Sequence, residues 1–112
     1  MKDVQRRKAP RYSFIATAEL LDVGTKTRMS TRVSELSLHG CYLDMLNPLP
    51  KNSMATIKIS AGDKVFESEA RVVYVHPNLG LGVIFVDTKP KDLEILEEWI
   101  REAEKDPGRL IE

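Results

Sequence analysis

Arginines stand at positions 6, 7 and 11 of the run Arg6-Arg7-Lys8-Ala9-Pro10-Arg11, and Glu35-Leu36-Ser37-Leu38-His39-Gly40 follows one predicted hairpin later. A guanidinium presents its donors in a planar fork, which suits two acceptors at once, such as a pair of phosphate oxygens. The same fork matches O6 and N7 of a guanine. Arg7 and Arg11, four residues apart, could clamp a phosphate and a base together; Lys8 adds charge but has no fork. Glu35 supplies a complementary group, because a carboxylate can accept from both N1–H and N2–H of a guanine. Ser37 offers a small hydroxyl that donates and accepts. Gly40 permits a positive φ or a close backbone approach.

Each run alone also has a plain structural explanation. Residues 6–11 read equally as a solvated tail, and residues 35–40 as a hairpin turn with its usual Ser and Gly. The spacing of Arg7 and Arg11 recurs at Arg28 and Arg32, which the pattern places together on a solvated strand face. Other chemistry is poorly provided for. His39 and His76 are too few and too isolated for a metal site. Tyr74 and His76 are read as strand-face residues rather than as guanine stackers, and Trp99 as core. Ser37 has no His/Asp arrangement to make it a nucleophile, and there is no P-loop. The single Cys41 cannot form an intrachain disulfide and reads as a reduced, half-buried strand residue of a cytosolic protein.

These side chains need elements to position them. Residues 1–11 carry five basic side chains against one acid and almost nothing apolar, so they are expected to be a flexible basic tail. Beyond Pro10 the pattern has a period of two. It predicts strands over 12–21, 27–34, 41–46, 54–60, 65–76 and 79–86. Turns fall at 22–25, at 35–40, at the proline-broken 47–50, at 61–63 and at 77–78. Gly80 and Gly82 stand where side chains would crowd a curved sheet. After Asp87 the period changes. Leu93, Leu96, Trp99, Ile100 and Ala103 recur at helical spacing, predicting an amphipathic helix over about 88–106. Thr88 stands as its N-cap and Pro90 in its first turn. The predicted class is mainly β, a small antiparallel barrel or sandwich, with residues 12–112 as one domain and the helix stripe buried at an open barrel end.

Composition narrows the function. The chain has 112 residues and a formal net charge of +0, which argues against binding long nucleic acid. Seven aromatics and no net positive charge supply little of the basic, stacking groove that single strands need. No apolar run reaches the roughly 18 residues of a membrane span, and no hydrophobic stretch makes the N-terminus a secretory signal. Residues 91–106, with seven acids against three bases, read as a solvated helix face.

Taken together and in this order, the two motifs resemble the signature of the PilZ domain family. Val33-Ser34-Glu35-Leu36-Ser37 running into Gly40-Cys41-Tyr42-Leu43, and Leu79-Gly80-Leu81-Gly82-Val83-Ile84-Phe85, are similar to the family's surrounding strands. The resemblance spans about residues 6–86. It implies a six-stranded antiparallel β-barrel and a bacterial receptor for cyclic di-GMP, not an enzyme, with no cofactor or metal. It implies that Arg7 and Arg11 bind guanine and phosphate, and that Glu35, Ser37 and Gly40 line the other side. It implies that Arg6, directly before the motif, accompanies two stacked ligand molecules. The expected behaviour is a tail that folds over the ligand and presents a new surface to a protein partner in motility, polysaccharide or adhesion machinery. One position departs from the family's pattern: Glu35 stands where Asp or Asn is usual, moving the carboxylate by about one C–C bond length. The alternative is an adaptor of the same fold that binds a protein without nucleotide.

Overall fold

A computed structural model describes residues 9–111; residues 1–8 of the expected tail, with the candidates Arg6 and Arg7, lie outside them. Six strands, β1 (Tyr12–Asp22), β2 (Arg28–Leu36), β3 (Gly40–Asp44), β4 (Met54–Ala61), β5 (Lys64–His76) and β6 (Gly80–Val86), precede one helix, α1 (Pro90–Glu104), and a 3₁₀ turn at Pro107–Arg109. The strands close into a barrel in the order β1-β2-β3-β6-β5-β4, with every neighbouring pair antiparallel. The barrel, rather than a sandwich, is therefore the architecture.

The period-two pattern is what fills it. Tyr12, Phe14, Ala16, Ala18 and Leu20 of β1 point inward, as do Ala55, Ile57 and Ile59 of β4 and Phe66, Ala70 and Val72 of β5. Leu43, Leu81 and Val33 complete the wall from the other side. Closure leaves no long exposed sheet edge. The β4–β5 hairpin turns on Gly62, whose φ of 62° suits the left-handed corner between Ala61 and Lys64. Cys41 is buried, not half-buried, because β3 faces it into the core with Leu43; burial pushes its thiol pKa well above the ordinary range.

Helix α1 buries Leu96, Trp99, Ile100 and Ala103 against the barrel. Trp99 lies 5.3 Å from Phe14 and 6.4 Å from Phe66, centroid to centroid, so it rests on inward-facing rings of two separate strands. The helix is shorter than its sequence pattern at both ends. Thr88 is not its cap: its hydroxyl hydrogen-bonds the Ser68 hydroxyl at 2.8 Å, and the helix starts at Pro90 behind Lys89, which makes no side-chain cap. At the other end Asp106 caps the 3₁₀ turn instead, accepting from the Gly108 amide at 3.1 Å.

One acid of the expected solvated face is buried. Asp92 accepts a hydrogen bond from the Glu67 amide of β5 at 2.9 Å and so pins the helix to the barrel. Hydrogen bonds to a charged group contribute about 1.5–3 kcal/mol each. Asp92→Ala should lower unfolding stability by about that amount in urea titration, and Asp92→Asn, which keeps an acceptor, should recover most of it. A loss below about 0.5 kcal/mol for the alanine would contradict this role.

Candidate functional site

The site residues lie on the outer surface of one end of the barrel, and three strand irregularities place them there. The β2–β3 register slips between Val33 and Glu35, leaving Ser34 as an extra residue. Strict alternation from Met29, Thr31 and Val33 would turn Glu35 into the core; the bulge turns it outward opposite Tyr42, and Leu36 inward. A second bulge in β5 inserts Val73 between Val72 and Tyr74. It turns Tyr74 and His76 outward and Val75 inward toward Leu81. A third slip, between Ser13 and Ala16, bends β1 just beyond Arg11.

The result is one row across five strands. Ser13 is opposite Glu35, Glu35 opposite Tyr42, Tyr42 opposite Gly82, and Gly82 opposite Tyr74. The two glycines make room for the rings. A Cβ on Gly82 would come within 2.3 Å of the Tyr74 ring, and one on Gly80 within 2.8 Å of the Tyr42 ring. Tyr42 and Tyr74 stack with centroids 6.2 Å apart and planes 28° apart. His76 joins them, its Nδ1 3.0 Å from the Tyr42 hydroxyl.

Arg11 lies at the head of this row. Its guanidinium is 3.4 Å from the Glu35 carboxylate, with 38% and 32% of the two side chains exposed. Its positive charge also faces the Tyr74 phenol. Burial raises the Tyr74 phenol above its ordinary pKa; Arg11 opposes that shift, while Glu35 and Cys41 add to it. Burial likewise raises Tyr42, with smaller contributions from Tyr74, Asp44 and Glu35. Both phenols therefore stay protonated at neutral pH and can donate hydrogen bonds. A half-exposed ion pair such as Arg11–Glu35 contributes little to stability. Its two ends can be exchanged at small cost for an anionic acceptor on the arginine and for donors on the carboxylate.

The other predicted residues have structural duties. Glu35 and Leu36 belong to β2 and Gly40 opens β3, so the turn is confined to Ser37, Leu38 and His39. The buried Ser37 hydroxyl is engaged within that turn, accepting from the His39 amide at 3.1 Å and the Gly40 amide at 3.3 Å. Gly40 needs no positive φ; it is a close approach, since a Cβ there would lie 2.0 Å from the Val83 carbonyl oxygen of β6. Arg28 and Arg32 behave as the pattern predicts, pairing on the outer face with Glu19 and Asp44, each at 3.0 Å. Tyr42 is the member of the row that the two sequence motifs do not single out, although alternation with the buried Cys41 and Leu43 turns it outward. Tyr74 and His76 are strand-face residues as expected, but that face is the one beside Arg11 and Glu35. Among the described residues no group of three or more His, Cys, Asp or Glu could hold a metal ion. No helix among them is long and apolar enough to cross a membrane.

Comparison with known proteins agrees with this fold. The family model for the PilZ domain matches residues 5–102, and the chain belongs to that family. Among solved structures, it is similar to the PilZ domain of YcgR from Escherichia coli, solved with c-di-GMP. That match has a TM-score of 0.74 at 18% identity and covers 91% of this chain and 94% of that one. The inhibitor of motility MotI/DgrA of Bacillus subtilis matches with a TM-score of 0.77 at 15% identity, over 96% of this chain and 56% of that one. The PilZ domain of CeSA from a cellulose-synthesizing bacterium matches with a TM-score of 0.67 at 14% identity, over 84% and 97% of the two chains. No curated protein matches the chain.

Proposed function

We propose that this chain is a receptor for cyclic di-GMP and that the ligand lies on the outer row from Arg11 to Tyr74. Support comes from the family and from the c-di-GMP in the YcgR PilZ structure. The observation that carries the proposal is the Arg11–Glu35 pair held beside two protonated tyrosines on one barrel face. Ligand arrival exchanges that pair. The Arg11 fork takes phosphate or the O6/N7 edge of a guanine, and Glu35 is released to accept from N1–H and N2–H. Tyr74, freed from Arg11, donates its hydroxyl or offers its ring to the base. Arg6 and Arg7 approach from the preceding segment and supply two more forks. Ordering that segment costs about 1–2 kcal/mol per residue fixed, offset by charge-assisted hydrogen bonds of about 1.5–3 kcal/mol each.

The output is a surface change read by a protein partner: the folded segment and the bound nucleotide together cover the row. No step of bond making or breaking is involved, and the chain acts as a switch, not a catalyst. Gly40 and Ser37 serve this site indirectly, by fixing the turn that presents Glu35.

Guanine and adenine differ at the atoms this site would read. Adenine carries a donor amino group in place of O6 and lacks the N1–H. Fluorescence polarisation with labelled cyclic di-GMP should therefore show displacement by unlabelled cyclic di-GMP and little by cyclic di-AMP. Equal displacement by both would contradict the assignment of Arg11 and Glu35 to guanine edges.

A further inference from the structure

The residues that follow helix α1 grip the backbone at the site's arginine. β1 pairs with β4 only from Thr17 onward, so among the described residues the strand's first residues have no strand neighbour on that side. The segment Asp106–Ile111 covers them. The Ile111 amide donates to the Arg11 carbonyl at 2.8 Å, and Leu110 bridges Tyr12 in antiparallel fashion. Arg109 donates from Nε to the Ser13 carbonyl at 3.1 Å, and its guanidinium lies 5.7 Å from the centroid of Phe14. The Glu104 carboxylate at the end of the helix faces the Tyr12 phenol, adding to the burial that raises its pKa. Arg11 itself lies one residue before the β1–β2 register begins at Tyr12 opposite Leu36. Its main chain is thus held by Ile111, while its side chain reaches Glu35 and Tyr74.

We propose that Arg109, Leu110 and Ile111 are positioning residues for Arg11, so that affinity for the nucleotide and order in the segment after α1 are linked. The inference rests on the receptor reading above. A fork must meet its acceptors within a few tenths of an ångström to keep both hydrogen bonds. The carbonyl anchor sets where the long arginine side chain begins. Linkage is reciprocal: whatever the anchored segment contributes to ligand binding, the ligand returns as order in the segment. A ligand signal would thereby reach the segment that follows α1.

Two measurements on the full chain test this. In the first, hydrogen exchange is followed at the Ile111 amide with and without saturating cyclic di-GMP. The Val23 amide, bonded to Met54 at the other end of β1, serves as the internal control. Slower exchange at Ile111 with no change at Val23 is expected; no change at either in the bound protein would overturn the inference. In the second, Ile111→Pro removes the donor to Arg11 and Arg109→Ala removes the grip on Ser13, while Ile111→Val keeps its amide. The first two should weaken nucleotide binding about five- to tenfold with Trp99 emission unchanged, and the valine variant about twofold at most. Unchanged affinity in folded Ile111→Pro and Arg109→Ala would overturn the inference alone. Absence of binding by the unmodified chain would overturn the receptor reading, and the inference with it. Should the proline variant fail to fold, the exchange measurement still decides.

Discussion

Gly40→Ala should cost about 3 kcal/mol or more of unfolding stability, enough to leave a marginal domain largely unfolded. The added methyl has nowhere to go. Its carbon would lie 2.0 Å from the Val83 carbonyl oxygen, 3.0 Å from the Val83 carbonyl carbon and 3.1 Å from the Ile84 Cα. All three are backbone atoms of β6, so no side-chain rotation relieves the overlap. Gly40 pairs with Ile84, and the next amide, Phe85, donates to the His39 carbonyl at 2.8 Å. Pushing β3 off β6 would open the barrel where Glu35 is presented. Urea titration checks this; a loss below about 1 kcal/mol would show that the two strands part more easily than their packing implies. Gly82 makes a useful contrast. Its added carbon would meet the ring of Tyr74, a side chain that can move, so Gly82→Ala disturbs the site more than the fold.

Arg11→Ala should raise the dissociation constant for cyclic di-GMP about tenfold or more, equivalent to about 1.4 kcal/mol. The fork is lost, and Glu35 also loses the cation 3.4 Å away. Arg7→Ala, from the same motif, should act to a similar extent. Arg28→Ala is the matched control. It has the same side chain, sits at the opposite end of β2 and pairs with Glu19 on the exposed outer face. Its effect should stay within about twofold, since exposed pairs of this kind contribute little. Titration of the labelled nucleotide into each variant gives the comparison. Equal losses from Arg11 and Arg28 would mean that the nucleotide responds to overall charge and not to this face.

Much of this was legible in the residues. The barrel follows from alternation: Phe14, Ala16, Ala18 and Leu20 point inward because a strand has a period of two. The helix follows from the change of period after Asp87, and Trp99 from its place on the helical stripe. The face of the site was harder to see, because bulges set it. Counting by twos from Val33 buries Glu35, and counting by twos from Val72 buries Tyr74 and His76. The available signal is a spacing of three between core residues, Val33 to Leu36 and Val72 to Val75, which an uninterrupted strand cannot bury on one side. The start of the helix is hidden in the sequence for a different reason. Thr88 has the chemistry of a cap, but its hydroxyl is used by Ser68, a partner twenty residues earlier in sequence that only tertiary packing brings near. The same holds for Asp92, whose burial depends on an amide of β5, and for the Ile111 bond to Arg11, which joins opposite ends of the sequence.

The most direct test of the account is an amide-resolved NMR titration of the full chain with cyclic di-GMP. The account predicts saturable shifts at Glu35, Tyr42, Tyr74 and Gly82, with Glu19 and Lys58 on another part of the wall unmoved. Shifts centred on Glu19 and Lys58, or none at millimolar nucleotide, would contradict a cyclic di-GMP site on the Arg11–Tyr74 row.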